Sequence, residues 1–582
     1  MTLFKWLKQL LLVSFVPVML VALFKKALFV KYFTDYYADR GLWGSFQVLL
    51  HDSFYIFITI TIFYVSILRQ TPYVISVLLR IMALLLLILY MTDVYVMYNF
   101  NSRLVIDDVI KYSGYAIEYL SQINKDVGLV NLTLLLLISC AVICIVFNPW
   151  KVQGKFNHFI YLSAISSFVF CTMAGMALDS NKNYTHSWVF KNIIDYNTMV
   201  LAERKQYSTD FVADFKYLEN QVCYNRKSEK KNIIILMVES LSVYQSKLFS
   251  GIKDWTPRLD SIAKKHIALT NFHANGFTTE DGVRSLLTGE VPVYPPATFQ
   301  EAGGQSFNGV FGFAASLPNV LKEYGYRSEF LTTADLSFSR TGEWAESVGF
   351  DYVEGHEHPY YDDFERFHFQ AAADEALYNR VFSRIELNQT PYFIFIKTVS
   401  THHPFFDPVT KEKSEEKAFR YADDQIGKFY DELKQTGFFE NGLMMIVGDH
   451  HAMVPIKKKE VEIFGAERAP AMIPFVMVYG DERYINDDQY QQIDVYNSLN
   501  GLVSGKQCYT KWIGDIWGGN EPINIVHRRG DNRHLLSVFS EDSEYLVLLD
   551  GNDTRVIEKE EGVEGTVKEI VDKINHHRIL RE

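Results

Sequence analysis

The chain has 582 residues, enough for two or three domains, and a formal net charge of −12 at pH 7. This negative charge, without a basic stripe to meet phosphate backbones, excludes an ordinary nucleic-acid-binding protein. Hydrophobic residues make up 48% of the chain, but apolar stretches dominate only its first 180 residues. The sequence therefore predicts a membrane region, residues 1–180, followed by a soluble region.

Five apolar stretches in residues 1–180 are long enough to cross a bilayer. They are Leu10–Val30, Val48–Leu68, Val74–Tyr98, Leu129–Phe147 and Phe159–Leu178. A cleaved signal peptide competes as an interpretation of the first stretch, but no small-residue cleavage site follows it. Short loops rich in Lys and Arg stay in the cytoplasm, which predicts an inside N-terminus and an outside location for everything after Leu178.

Residues 181–231 have helical, amphipathic character, especially over Tyr196–Phe215, without a strong strand. We predict linker helices that lie along the membrane or along the face of the soluble domain. An ordinary surface helix remains an equal alternative for this segment.

From Asn232 onward, predicted strands and helices alternate, which indicates a layered α/β domain with a mostly parallel sheet. The predicted elements are helices at Thr256–Leu259, Pro318–Tyr324 and Phe419–Lys434, strands at Ser328–Thr332, Tyr392–Thr398 and Pro474–Tyr479, and a hairpin at Glu544–Leu549 and Thr554–Glu558. We assign residues 232–530 to this domain, and residues 531–582 to a hairpin and a helix that complete it.

Polar residues follow two of the apolar runs expected to be buried strands. Glu239 comes directly after Ile233–Val238, while Asp449 and His450 follow Leu443–Val447. In open α/β sheets, ligands gather at the carboxyl ends of the strands. A Glu, an Asp and a His at one rim form an oxygen and nitrogen ligand set for a divalent cation.

A third segment, residues 276–289, reads GFTTEDGVRSLLTG, and Thr279 stands nine residues before Thr288 in its Leu-Leu-Thr-Gly ending. Sulfatases and their relatives carry a nucleophile at this spacing, at the start of a helix. The chain thus resembles the alkaline-phosphatase superfamily. Within it, the resemblance is to the membrane-bound branch of lipoteichoic acid synthases and phosphoglycerol or phosphoethanolamine transferases. A sulfatase itself needs Cys or Ser where this chain has Thr279.

The resemblance implies that Thr279 is the nucleophile, with Thr278 as the alternative that spacing disfavours. It also implies a divalent cation bound by Glu239, Thr279, Asp449 and His450, most often Mn²⁺, with Mg²⁺ or Zn²⁺ as other possibilities. A Thr hydroxyl is a poor nucleophile at its free pKa, and a metal stabilises its alkoxide.

Two further residues match substrate-binding positions of the resembled family. His402, in Thr401-His402-His403-Pro404-Phe405, matches the His of an Asn-His-aromatic-Pro-Phe motif. Arg340 fits a headgroup-binding Arg that precedes a Phe-Gly-Phe-Asp stretch, although the family's neighbouring Trp is absent here. These matches imply contacts with the phosphate or with the headgroup.

The resemblance implies a transferase in a bacterial cytoplasmic (inner) membrane, acting on its outer face. Because ATP is absent there, the donor would be a phospholipid, and the acceptor a cell-envelope glycan or lipid. A phosphoethanolamine transferase acting on lipid A or a glycan is the nearest alternative. Water as the acceptor would make a phosphodiesterase, and an inactive membrane lipid sensor is a third alternative. Whether Cys223 and Cys508 pair stays open at this point.

Overall fold

A computed structural model of the protein describes residues 23–30, 41–100, 102–106, 108–109, 189, 191–202, 206–294, 315–388, 391–517, 523–541, 543–550, 552–559 and 564–579. Contacts divide the chain into two compact units, Met1–Glu203 and Arg204–Glu582.

The first unit is helical throughout most of its described part. Residues 23–30 are helical, followed by α1 (Gly41–Ile67), α2 (Tyr73–Phe100) and α3 (Ile193–Ala202). Within the described residues, Tyr73–Tyr98 is the one helix long and apolar enough to cross a bilayer, and Tyr55–Ile67 is a shorter apolar stretch. The second and third predicted spans coincide with α1 and α2. The first is described only over residues 23–30, and the fourth and fifth lie outside the described residues, so a five-span region stays a prediction.

Four charged side chains buried in the first unit form two pairs. Lys26 Nζ lies 2.6 Å from Asp52, and Arg103 lies 2.8 Å from Asp93, with all four side chains fully buried. The main-chain oxygen of Lys191 accepts from both Lys26 (2.8 Å) and Arg103 (3.0 Å). These contacts compensate buried charge, which is costly when it is left unpaired, and they fix the chain just before α3.

The second unit contains all the strands of the described chain. In chain order they are β1 (Val222–Asn225), β2 (Asn232–Val238), β3 (Ile267–His273), β4 (Arg327–Thr332), β5 (Tyr352–Glu354), β6 (Tyr392–Lys397), β7 (Gly442–Gly448), β8 (Phe475–Tyr479), β9 (Tyr484–Gln491), β10 (Lys506–Tyr509), β11 (Ile525–Arg528), β12 (Leu535–Phe539), β13 (Glu544–Asp550) and β14 (Asp553–Lys559).

In the described part of the second unit, ten α-helices lie among these strands. They are α4 (Thr209–Asp214), α5 (Pro257–Ala263), α6 (Thr279–Thr288), α7 (Leu317–Glu323), α8 (Thr341–Ser347), α9 (Asp374–Leu387), α10 (Glu415–Gln435), α11 (Lys458–Phe464), α12 (Gln492–Ser504) and α13 (Glu564–Ile579).

Eight strands form the central sheet, in the order β5-β4-β6-β2-β7-β8-β3-β9. The pairs from β5 to β7 are parallel, β8 is antiparallel to both β7 and β3, and β3 and β9 are parallel. The predicted mostly parallel sheet is therefore confirmed, with β8 as its antiparallel exception. The predicted strands near Ser328–Thr332, Tyr392–Thr398 and Pro474–Tyr479 are β4, β6 and β8.

The sheet is covered by helices on both faces, because its central strands are apolar on both sides. Every residue of β2 and of β7 is buried. One apolar core joins one side of the sheet to α6, α7, α8 and α12. A second core joins the other side to α5, α9 and α10.

The C-terminal part is larger than the predicted hairpin and helix. Strands β11 to β14 form a four-stranded antiparallel sheet, in which β13 and β14 are the predicted hairpin. Helix α13 packs on this sheet through Ile570 and Ile574.

The segment predicted as strand-free linker helices contains a strand, so that prediction is wrong at Val222–Asn225. This strand, β1, pairs antiparallel with β10 and places Cys223 opposite Cys508. The two cysteines form a disulfide, which answers the question that the sequence left open. The local sequence gave no signal, because strand β1 is stabilised by a partner 285 residues away.

Candidate active site

Four predicted residues meet at one rim of the central sheet. Glu239 follows β2, and Asp449 and His450 follow β7; these neighbouring parallel strands end in register, with Val238 opposite Gly448. The ligand atoms of Glu239, Asp449 and His450 all lie within 4.8 Å of one another. The Oγ1 atom of Thr279 donates to Glu239 Oε2 at 3.1 Å and lies 3.3 Å from His450 Nε2.

The two adjacent threonines have different surroundings. Thr278 is the N-cap of α6, and its side chain accepts a hydrogen bond from the Asp281 N–H at 3.2 Å. Thr279 begins the helix and directs its hydroxyl at Glu239. Capping satisfies one of the free N–H groups of the first helical turn. Thr278 therefore has a local structural task, while Thr279 contacts the acidic cluster.

Helix α6 approaches the Asp449 loop too closely for any side chain at Gly282. A Cβ atom there would lie 2.6 Å from the main-chain oxygen of Asp449. Glycine at this position lets the first turn of the helix pack directly against the loop. The separation between Thr279 and Asp449 is thus set by backbone contact.

A buried side-chain amide connects the segment before α6 to the Asp449 loop. The side chain of Gln492, at the start of α12, accepts from the Asn275 N–H at 3.1 Å. It donates to the main-chain oxygens of Gly448 (3.1 Å) and Asp449 (2.7 Å). Gln492 is fully buried. One amide therefore links the segment before Thr279 to the segment that carries the carboxylate.

Ser240 orients both carboxylates of the cluster. Its N–H donates to Asp449 Oδ1 at 2.7 Å and its hydroxyl donates to Glu239 Oε1 at 2.8 Å. Its backbone has a φ of 57°, which is uncommon for a residue with a side chain. This strained turn lets Ser240 contact both carboxylates. The role of Ser240 was not predicted from the sequence.

The electrostatics of the cluster reflect negative charge confined in a buried space. Burial, and then the charge of Glu239, raises the pKa of Asp449. Burial opposes protonation of His450, but the charges of Asp449 and Glu239 outweigh it and raise the His450 pKa to about 9. Burial likewise opposes ionisation of Glu239, yet the positive charges of His402, His450 and Lys397 lower its pKa. The cluster therefore attracts positive charge.

A cation fits these residues. Within the described part of the chain, Asp449 Oδ2 is buried and accepts no hydrogen bond. Two carboxylates, an imidazole and a hydroxyl provide the oxygen and nitrogen donors that Mn²⁺, Mg²⁺ or Zn²⁺ take in proteins. An ion here would bind Asp449 Oδ2, which lies 3.2 Å from His450 Nε2, and would neutralise the paired carboxylates.

Comparison with known proteins finds one family model that matches part of the second unit. Residues 231–504 match the sulfatase family model. We refer to this matching segment as the sulfatase domain. It contains all four clustered residues and ends with α12, so the predicted resemblance is confirmed.

Two curated relatives are similar to the chain at low identity. Lipoteichoic acid synthase 1 of Bacillus subtilis is 22% identical over 435 residues, covering 66% of each chain. Phosphoglycerol transferase I of Escherichia coli is 23% identical over 278 residues, covering 44% of this chain and 35% of its own length. The chain thus spans between about a third and two thirds of the length of these curated relatives.

A solved structure from Vibrio parahaemolyticus, described as a protein in the alkaline phosphatase superfamily, has the same fold. It superposes with a TM-score of 0.50 at 19% identity, covering 66% of this chain and 93% of that one. The sulfatase domain and its mostly parallel sheet therefore belong to the predicted fold class.

The two predicted substrate residues of the sulfatase domain lie in segments that follow two other strands. His402 follows β6, its Nδ1 lies 2.6 Å from the oxygen of His403, and its ring meets Phe369 edge-on. A protonated His402 ring lowers the pKa of Glu239. Arg340 follows β4 in an exposed turn, where it forms an ion pair with Glu343. The structure thus brings His402 within electrostatic range of the cluster and gives Arg340 a local partner.

A second group of titratable side chains was missed by sequence reasoning. Asp335, His356 and Glu357 follow β4 and β5, and their ligand atoms lie within 4.8 Å of one another. They are partly exposed, and His356 lies 3.2 Å from Glu357. The position of Asp335 after the β4 strand was the one available signal for this group.

Proposed function

We propose that the protein is a membrane-anchored, metal-dependent phosphotransferase. It moves a phosphoglycerol-type headgroup from a phospholipid to a cell-envelope glycan or lipid, through a covalent adduct on Thr279. The observation that carries the proposal is the contact of the Thr279 hydroxyl with Glu239 and His450 at the sheet rim. The names of the two curated relatives support the phosphoglycerol chemistry.

Glu239, Asp449, His450 and Thr279 would hold the cation, with Mn²⁺ as the first choice. When bound, it lowers the pKa of the Thr279 hydroxyl and offsets phosphate charge. Glu239 and Ser240 orient the hydroxyl and the carboxylates. The free N–H groups of the first turn of α6 favour an anion at the same place.

The reaction proceeds by two displacements at phosphorus. Thr279 Oγ1 attacks the phosphorus of the donor phosphodiester and loses its proton. The new Oγ1–P bond replaces the P–O bond to diacylglycerol, whose oxygen takes a proton as it leaves. An acceptor hydroxyl then attacks the phosphorus of the adduct. Its new P–O bond replaces the Oγ1–P bond, and its proton passes to the Thr279 oxygen. His402 and Arg340 would bind the transferred group.

The sulfatase domain would act on the outer face of the bacterial cytoplasmic membrane. The basic loops support this orientation, and so does the Cys223–Cys508 disulfide, because such bonds persist in oxidising compartments. A reporter fused after Leu178 should be active only outside. A cytoplasmic signal from that fusion would contradict both the proposed orientation and the argument for a lipid donor.

The direct test uses the purified full chain with Mn²⁺ and vesicles of phosphatidylglycerol or of phosphatidylethanolamine. We expect diacylglycerol release from phosphatidylglycerol and a phosphoglycerol mass on Thr279, both absent in Thr279→Ala. Thr278→Ala should keep the adduct, with a stability loss of about 1 kcal/mol from the lost cap. A phosphoethanolamine mass would instead identify the alternative transferase. Consumption of neither lipid would overturn the transferase proposal and favour a lipid sensor.

A further inference from the structure

A lysine ends the strand next to the one that carries Glu239. Lys397 is the last residue of β6, opposite Met237 on β2 and opposite Thr332 on β4. Glu239 stands two residues beyond Met237, so both residues belong to the same rim. Neighbouring strands lie about 4.8 Å apart, and two residues along a strand span about 7 Å. A lysine side chain can cover that separation.

The side chain of Lys397 lies on the same face of the sheet as the candidate nucleophile. Side chains alternate along a strand, and Phe393 and Phe395 pack in the core that joins the sheet to α6. Lys397 continues this series. Ile233, Ile235 and Met237 of β2 pack in the same core, and Glu239 continues that series in turn. Thr279, at the start of α6, lies above this face.

The charge of Lys397 has no counter-ion of its own. The residue is half-buried, and within the described part of the chain its ammonium group forms no hydrogen bond or ion pair. Glu239 is a carboxylate within its electrostatic range, and the proposed cation would engage this carboxylate. Half-buried ammonium groups are stabilised by an anionic partner. With the cation bound to Glu239, a phosphate anion at the site would supply that partner.

We propose that Lys397 binds a non-bridging oxygen of the phosphate that Thr279 attacks. The ligand class is a phosphomonoester or phosphodiester anion, which the lysine contacts on the side opposite the cation. This inference rests on the proposed function in placing the phosphate at Thr279. It adds a residue that neither the motif at Thr279 nor the His402 match indicates.

The rival explanation is structural: Lys397 would only offset the charge of Glu239. The two explanations differ in what happens to metal and to phosphate. If Lys397 is only a counter-ion for Glu239, it competes with the cation. Removal of Lys397 should then strengthen metal binding and leave phosphate binding unchanged. If Lys397 instead binds the phosphate, its removal should weaken phosphate binding at saturating metal.

The experiment titrates inorganic phosphate into the Mn²⁺-loaded full chain by calorimetry, for the wild type, Lys397→Met and Lys397→Arg. The matched control is Lys322→Met, an exposed lysine paired with Asp351. Loss of a charge-assisted hydrogen bond should weaken phosphate binding by about tenfold or more in Lys397→Met. Lys397→Arg should recover most of the affinity, and the control should match the wild type. Bound Mn²⁺ should be equal in all four proteins.

Unchanged phosphate affinity in Lys397→Met would overturn the inference, as would tighter Mn²⁺ binding without a change for phosphate. Lys397→Gln provides a second variant if the Met variant does not fold. Phosphate binding is measured without turnover, so its outcome is separate from that of the lipid assay. With an active donor, Lys397→Met should also raise the donor KM more than it lowers kcat.

Discussion

The Gln492 side chain donates a hydrogen bond to the main-chain oxygen of Asp449 at 2.7 Å. Because the same amide accepts from the Asn275 N–H, it fixes the spacing between the nucleophile loop and the carboxylate loop. Preorganised geometry of this kind governs the rate of displacement reactions. Gln492 is therefore a positioning residue, which acts through the two loops that it joins.

We expect Gln492→Met to lower the rate of adduct formation on Thr279 by about tenfold or more, with donor KM changed less than kcat. The variant leaves buried carbonyls without donors, which costs about 1–3 kcal/mol for each group. Gln489→Met is the control. Gln489 lies on β9 and donates one hydrogen bond to the main-chain oxygen of Ser540. Equal rates in both variants would contradict the positioning role.

Gly282→Ala should separate the helix from the metal loop. The added methyl would meet the main-chain oxygen of Asp449 at 2.6 Å, and relief of such overlap costs about 1–3 kcal/mol. We expect activity to fall by about a hundredfold, because a shift near 1 Å is enough for that loss. In Gly565→Ala, on α13, the methyl meets nothing within 4 Å, so it should leave activity unchanged and slightly raise stability. An active Gly282→Ala variant would show that the loops can move.

Removal of a cluster carboxylate should abolish metal binding while the domain stays folded. In the wild type, Mn²⁺ at a hundred times its Kd should stabilise the native state by about 2.7 kcal/mol. Glu239→Gln and Asp449→Asn should lose that increment and the bound ion, as measured by thermal unfolding and elemental analysis. Asp335→Asn, in the second titratable group, should keep both. Undiminished metal in the first two variants would place the ion elsewhere.

Acid should destabilise the second unit through buried neutral histidines. Burial lowers the pKa of His273 to about 3 and that of His534 to about 4. The unfolded chain, with a His pKa near 6.5, binds more protons below that pH, so stability is complete above pH 6.5 and falls toward pH 4. At pH 5 each histidine should cost about 2 kcal/mol. Urea unfolding of the full chain at pH 5 to 8 should show this slope, and His273→Gln should reduce it by one proton.

The sequence was most informative where chemistry coincides with strand ends. Glu239, Asp449 and His450 follow continuous apolar runs, and parallel strands bring such residues to one rim, so their meeting could be predicted. Strand β9 (YINDDQYQ) could not be predicted, because it is polar and only its last two residues are buried. β-structure of this kind depends on its neighbours in the sheet. Gln492 and Lys397 were missed for a related reason. Their importance comes from the strand order of the sheet, which no local pattern encodes.

Because the Cys223–Cys508 bond joins positions 285 residues apart, it turns most of the second unit into a covalent ring. Glu239, Thr279 and Asp449 all lie inside that ring. In the chain-entropy model, a ring of this size stabilises the native state by up to about 5 kcal/mol. A single proteolytic cut between the two cysteines would leave one molecule, with both halves of the site still attached. Only reduction would release the fragments, so damage of this kind would be visible on a gel run with reductant and hidden without it.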